Sequence, residues 1–461
     1  MPPRNLFPAA ARLAAALLVL IGALHGLRAH AQPLSKGGYP LLGRTVEVDP
    51  TFPYYQGRSA GSIASEIQAN GFTVVEYVVT NDAHIDRALI DAFHARGIGV
   101  WYLTFGNGVY STAGLPADWS SWKLSTPAAG FTSFSLNDPA FRAWKKKAVV
   151  QSLKNYPFDG IDIAEPYWTD QTSYGPADRA AFLKMFPNDA APPNMTDSNA
   201  PTSRQNDPAL WRDWLAFRKA SVTSFLNDLV NGPGGIRNAC PGIAVRLWTL
   251  GQTGPDAVQA LCDQNGEDPA QIARVVRPDM FAIETNWPDW TQADLKPDYV
   301  LQYKPFIDAV HAVSPRMPIL MQADVGSQRQ NLRGWQWIHA YEAACSQAGA
   351  ACSTYYEYSI GDYMYADPPR IARVRRKGGE LTLTFTHRVD PATASDASHY
   401  ALSSGKIDKI AVDGNIVRLT LAGAPAGGRG TLTVHGIACP QDKLLYSNLP
   451  TTPLDSQSVA F

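Results

Sequence analysis

"FDGIDIAEPYW", residues Phe158 to Trp168, begins as a buried strand and finishes on a carboxylate, a proline and two aromatics. An apolar, β-branched run bounded by Gly160 reads as a strand packed on both faces. A strand that only fills a core has no reason to end on Glu165, so its carboxyl end becomes the place to look for chemistry. Seven further runs share its texture: Arg44 to Asp49, Thr73 to Thr80, Gly99 to Phe105, Ala244 to Leu250, Met280 to Asn286, Pro318 to Asp324 and Thr354 to Ile360. Helical patterns separate them. In "DAHIDRALIDAFHARG" Asp82 is the expected N-cap, Ile85, Leu89, Ala92 and Phe93 form one apolar face, and Gly97 is the stop.

Eight strands alternating with helices over about 330 residues is the pattern of an α/β protein of the (β/α)8 TIM-barrel type. The excess over a minimal barrel falls in two long segments after strands, Gly106 to Asn137 and Thr169 to Pro208. Loops that follow strands lie at the carboxyl face, where such barrels keep their sites. After Asp367 the texture changes to period-two strands and Gly-rich turns without a helical run, so residues 368–461 are expected to form a small all-β sandwich. Through "LTLTFTHRVDPATASDASHYAL" and "VRLTLAGAP" this part resembles the bacterial immunoglobulin-like modules that follow catalytic domains in exported proteins, which implies a spacer or binding appendage.

At the other end, Arg4 and Arg12 flank an Ala/Leu run, and "AHA" at Ala29 to Ala31 precedes Gln32, the pattern of a secretory signal peptide cleaved after Ala31. A secreted or periplasmic protein is expected, with a barrel over 32–367. No later stretch reaches the roughly 18 apolar residues of a membrane span. In an oxidising compartment the five Cys permit two disulfides, and pairing neighbours joins Cys240 to Cys262 and Cys345 to Cys352, leaving Cys439. With 40 Lys and Arg against 41 Asp and Glu, no electrostatic footprint for nucleic acid is present.

Side-chain parity narrows the chemistry. Alternate residues of a barrel strand point inward, and the last inward ones face the site. Ala282, Glu284 and Asn286 share the inward face of the sixth strand, Leu320, Gln322 and Asp324 that of the seventh, and Thr45, Glu47 and Asp49 that of the first. On the fourth, Asp162 and Ala164 point inward, whereas Glu165 has the opposite parity unless the strand breaks at Pro166, which cannot donate to a ladder. The carboxylates gathered at one end are Asp49, Asp162, Glu165, Glu284, Asp324 and Glu357. Arg246 is a candidate partner for some of them. A cluster of this size calls for partners, a metal or shifted pKa values.

Of the mature chain's His outside the appendage, none pairs at strand ends, so a His-ligated metal is disfavoured; no metal or other cofactor is expected. No G-x-S-x-G elbow, dinucleotide fingerprint or phosphate cradle is present. Carboxylates together with 12 Trp and 19 Tyr point to a carbohydrate substrate and glycoside hydrolysis, which needs one proton donor and one nucleophile or base. "GIDIAEP" is similar to the fourth-strand end of retaining (β/α)8 glycoside hydrolases, and "PILMQADVGS" resembles their seventh-strand end. That resemblance implies Glu165 as acid/base and Asp324 as nucleophile. Ala164 stands where Asn is usual, and Asp324 where Glu is. A second register, "DGIDI" with "PDMFAIETN", resembles barrel glycosidases that take their pair from strands four and six, and implies Glu165 or Asp162 with Glu284. Candidate binding residues are Asp49, Trp168, Trp248, Asn286, Trp287, Gln322 and Glu357, with Trp119 and Trp122 as outlying sugar platforms. The alternative from another class is a non-catalytic carbohydrate-binding or envelope protein on a barrel scaffold.

Overall fold

Period-two alternation settles which side chains meet in the middle of the sheet. In the computed structural model, which describes residues 33–80, 84–124, 130–168, 175–189, 192–194, 197–423 and 429–461, the eight expected strands all form. They are β1 (Thr45–Val48), β2 (Val74–Val78), β3 (Gly99–Phe105), β4 (Gly160–Ala164), β5 (Ala244–Leu250), β6 (Met280–Glu284), β7 (Ile319–Asp324) and β8 (Cys352–Tyr356). They pair in parallel in chain order from β1 to β8. The signal-peptide region lies outside the described residues.

Helices cover the outside of this sheet. Val46, Val75, Tyr77, Val100, Tyr102, Ile161, Ile163, Leu247, Phe281, Ile283 and Met321 face them in one continuous core. The opposite parity, Val74, Val78, Trp101, Leu103, Ala164, Trp248, Met280, Ala282 and Leu320, fills the barrel. Glu284 and Asp324 therefore point inward, as the alternation predicts. The helix after β2 runs from Arg87 to His94, and its cap is Asp86, whose side chain accepts from the Ala88 and Leu89 amides. This corrects the expectation of Asp82, which itself lies outside the described residues; Asp86 wins because it sits one residue before the first helical turn.

Low in the barrel, Arg246 of β5 is fully buried. Its Nε donates to Asp162 of β4 at 2.8 Å, its Nη2 contacts Glu76 of β2 and Asp162, and Nη1 reaches Met280 Sδ of β6 at 3.5 Å. The guanidinium also lies 4.5 Å from the Trp101 ring centroid on β3. Thr354 of β8 donates to Glu76 at 2.7 Å. One cation thus ties strands two to six together and reaches the eighth.

β8 lies against β1, and no ladder joins them among the described residues. Glu357, immediately after β8, bridges this seam by accepting the Asp49 N–H and the Tyr55 hydroxyl, the latter at 2.6 Å.

Beyond Asp367 two antiparallel sheets share a small core of Leu381, Leu383, Phe385, Leu419, Leu432 and Val434. One has the order β9 (Ile371–Lys377), β10 (Glu380–Phe385), β13 (Ile416–Ala422), β12 (Lys406–Asp413); the other is β11 (Tyr400–Leu402), β14 (Thr431–Val434), β15 (Gln457–Ala460). This all-β part is seated on the barrel through polar contacts: Arg388 N–H donates to the Tyr54 hydroxyl at 2.9 Å, and Asn415 Oδ1 accepts from Ser65 at 3.0 Å. Residues 34–461 form one compact unit.

All five cysteines are unbridged, which corrects both expected disulfides. Cys240 caps a short helix while Cys262 belongs to the helix Ala257–Asn265; Cys345 lies in the helix Trp335–Ala348 while Cys352 opens β8. Nearness in sequence put each pair on two separate elements.

Replacing Arg246 with Leu would leave Asp162 and Glu76 buried without their cation. Urea unfolding of Arg246→Leu at pH 7 is expected to show a loss of about 3–5 kcal/mol.

Candidate active site

β4 ends at Ala164, and Glu165 adopts φ +52, a left-handed conformation that costs a non-glycine residue energy. That single residue resolves the parity conflict: the chain breaks out of the strand, and Glu165 lines the central cavity. The break is held on both sides. Pro166 packs on Gly106, where a Cβ would approach Pro166 Cβ to 2.6 Å. Asn107 clamps the Tyr167 backbone through both its amide atoms, at 3.0 and 3.1 Å, and Trp168 N–H donates to Asn265 O at 2.9 Å.

The cavity at the carboxyl end of the barrel has a volume of about 670 Å³, within the range for small-molecule and glycan sites. Its walls include five carboxyl groups, Glu47, Asp49, Glu165, Glu284 and Asp324, and none of its described lining residues is Lys, Arg or His. Aromatic walls come from Phe105, Tyr110, Trp248, Trp287, Trp290 and Tyr356. Tyr110 and Trp287 are 54% and 50% exposed, so their rings are open to a ligand.

Each carboxyl has a different setting. Asp324 Oδ1 accepts three bonds, from the Gly326 and Ser327 amides at 2.8 and 2.9 Å and from Asn331 Nδ2 at 2.9 Å. Burial pushes its pKa up and these donors oppose the rise. Glu165 receives the Tyr167 hydroxyl at 3.2 Å, and burial still pushes it up to about 7. Glu284 has no donor among the described residues. Burial raises its pKa well above the usual range, and the charges of Glu165, Glu267 and Asp324 add to the rise. Glu47 is raised by burial and by Glu76, with only the Gln322 amide, 3.2 Å away, opposing. Asp49 Oδ1 takes the Thr51 amide and hydroxyl at 2.9 and 2.6 Å.

Of the residues expected from sequence, Glu165, Glu284, Asp324, Asp49, Trp248, Trp287 and Gln322 meet in this cavity. Four do not line it. Asp162 sits below, committed to Arg246, with burial pushing it up to about 7. Glu357 is fully buried on the β1/β8 seam. Trp168 is buried against Trp214 and Phe217, with ring centroids 5.9 and 6.1 Å away, and belongs to the core. Asn286 caps the short turn Trp287–Trp290, and its N–H goes to the Tyr303 hydroxyl. Trp122 is likewise core, packed on Phe134, Phe141 and Trp144, and Trp119 packs on Phe134.

Sequence reading passed over Glu47 as a site residue, although its parity with Asp49 already placed it inward. It also missed Tyr110, Tyr167 and Glu267. Glu267, fully buried and pushed up to about 8 chiefly by that burial, accepts from Leu250 N–H at 3.3 Å; nothing in its local sequence marks it. Among the described residues no group of three or more His, Cys, Asp or Glu is arranged to hold a metal ion. No helix among them is long and apolar enough to cross a membrane.

The strand order and these strand-end carboxyls define a (β/α)8 barrel with an acidic, aromatic-walled cavity at its carboxyl face. No protein-family model and no curated protein matches the sequence. Solved structures similar to the chain include the glycoside hydrolase domain of PelA from Pseudomonas aeruginosa, with 13% identity over 68% of this chain and 95% of that one and a TM-score of 0.38. The β-galactosidase from Rahnella sp. R3 has 12% identity over 70% and 51% at a TM-score of 0.47. Ega3 from Aspergillus fumigatus, solved with galactosamine, has 11% identity over 72% and 96% at 0.36.

A carboxyl whose folded pKa is raised holds its proton in the folded state at pH values where the unfolded chain has lost it. Stability therefore falls as pH rises above the unfolded value near 4.5. Glu284→Gln removes that cost. Thermal and urea unfolding should find the variant more stable than the wild type by about 1–3 kcal/mol at pH 8, with the gap closing toward pH 4.5.

Proposed function

We propose that the protein hydrolyses glycosidic bonds, with Glu284 and Glu165 as its two reacting carboxyls. The observation that carries the reading is that two desolvated carboxyls line one cavity together with exposed aromatic rings, and that the charge of Glu165 adds to the cost of ionising Glu284. Of two such groups in one cavity, the one harder to ionise serves as the acid and the other as the carboxylate, the division of labour that glycoside cleavage needs. Resemblance alone assigns the proton to Glu165. Hydrogen bonding favours the reverse: the Tyr167 hydroxyl donates to Glu165 and stabilises its charge, whereas Glu284 has no donor among the described residues and keeps its proton. Glu284 then protonates the leaving oxygen, and Glu165 acts as nucleophile or as base for water.

Asp324, its Oδ1 held by three donors, is a fixed anion beside the pair and offsets the positive charge that develops on the sugar ring. Tyr110 and Trp287 are the sugar platforms. The lining bears five carboxyls and no basic side chain among its described residues, which favours glycans carrying free amino groups. In this reading the protein is exported through the segment ending at Ala31, residues 32–367 are the catalytic domain, and 368–461 are an immunoglobulin-like module.

The test is reducing-end release from a panel of neutral, N-acetylated and free-amine polysaccharides by wild type, Glu165→Ala and Glu284→Ala. Both variants should fall by about 10³-fold on polymers. On an aryl glycoside whose leaving group needs no protonation, Glu284→Ala should recover and Glu165→Ala should not. Wild-type turnover in both variants, or no release by the wild type from any polymer, would sink the proposal; recovery by Glu165→Ala instead would reverse the two roles.

A further inference from the structure

Tyr446 belongs to the C-terminal part of the chain, in the segment between β14 and β15, yet its hydroxyl donates to Gly326 O at 2.9 Å, two residues past the end of β7. The peptide that accepts this bond is the one joining Gly326 to Ser327, and the N–H of that same peptide donates to Asp324 Oδ1 at 2.9 Å. One peptide group therefore links a tyrosine of the β module to a carboxyl of the cavity. Hydrogen bonds in series polarise one another, so a donor on the carbonyl strengthens the N–H as a donor to the carboxylate.

The surroundings keep that peptide from turning. A Cβ on Gly326 would lie 2.3 Å from Ile360 O, so the backbone is wedged against the loop after β8. Arg333 N–H donates to Val325 O at 2.9 Å, and Asn331 holds both Asp324 Oδ1 and the Gln328 N–H. Tyr446 is itself anchored: its N–H donates to the Tyr365 hydroxyl at 2.9 Å, and Leu444 beside it is buried in the barrel's own hydrophobic core.

We infer that Tyr446 is a positioning residue of the candidate site, and that the C-terminal module completes this site by fixing the Gly326–Ser327 peptide that orients Asp324. The expectation of a spacer or binding appendage is replaced by a part of the chain that shapes the cavity wall. The inference rests on the proposed role of Asp324 for its catalytic consequence, but the contact itself is independent of it.

The test uses the full chain with Tyr446→Phe, which keeps the ring and removes one hydroxyl. Hydrogen–deuterium exchange of the 325–328 amides should quicken by about tenfold, in keeping with the loss of one half-buried hydrogen bond. On a glycan that the wild type cleaves, kcat should fall by about tenfold with KM within twofold. Asp413→Ala, which removes the acceptor of the Ser59 amide and hydroxyl at another of the module's contacts with the barrel, should leave kcat unchanged. Wild-type exchange in Tyr446→Phe overturns the inference whatever the activity. Faster exchange with unaltered kcat overturns it too, because the peptide then does not govern Asp324. If the wild type cleaves no glycan, the proposed function falls and the exchange rates alone decide whether Tyr446 holds the loop.

Discussion

Arg246 is the cation on which the interior depends. It lies among strands that bring Glu76 and Asp162 into the barrel, and burying two carboxylates without a counter-charge would cost several kcal/mol each. By meeting both it converts a repulsive interior into a cross-brace between β2, β4 and β5, with the Trp101 ring against its face. The acidic residues of the barrel thus divide by depth. Those at the bottom are paired with Arg246, and those at the carboxyl end, Glu165 and Glu284 above all, have no cation among the lining residues. Stability is concentrated at one end and unfavourable electrostatics at the other, the division expected when a site is built at some cost to the fold.

Local strain serves the same arrangement. A left-handed Glu165 costs energy that a strand ending in a small apolar residue would not incur, and its neighbours hold it there: Gly106 under Pro166, Asn107 on Tyr167, Asn265 on Trp168. The side chain reaches the cavity only because the strand stops one residue short. Asp324 is set by the opposite means, without strain, through a turn whose amides converge on one oxygen. One carboxyl is aimed by backbone torsion and the other by hydrogen bonds.

The open seam between β1 and β8 explains the fate of another acidic residue. Where a ladder is missing, backbone donors at the strand ends need acceptors, and Glu357 supplies one to Asp49 while binding Tyr55. A carboxylate that looks like a ligand-binding group from its place after a strand is here a closure for the barrel. Nearby, the β module adds its own contacts through Arg388 and Asn415 to the first helical turns of the barrel. Tyr446, from the segment between β14 and β15, adds a further contact, to the turn after β7.

Much of this is legible in the sequence. Apolar, β-branched runs mark the eight strands, and parity alone turns Glu284, Asp324 and Gln322 inward, because a strand side chain has only two directions. Proximity in space was not legible. Glu165 violated parity, and only a left-handed backbone held by the distant Asn107 and Asn265 brought it to the cavity. Asp162 obeyed parity and yet left the site, because depth along the barrel axis assigned it to Arg246. Trp168 and Glu357 were misplaced for the same reason: their chemistry is visible in the sequence, but whether a ring or a carboxyl meets ligand or core depends on which distant element covers it. The sequence by itself determined the elements, their faces and the stock of carboxyl groups, all of which follow from local sterics and hydrophobic period. Tertiary structure decided which carboxyls lost their water without gaining a cation, because desolvation is a property of everything packed around a group and not of its neighbours in the chain.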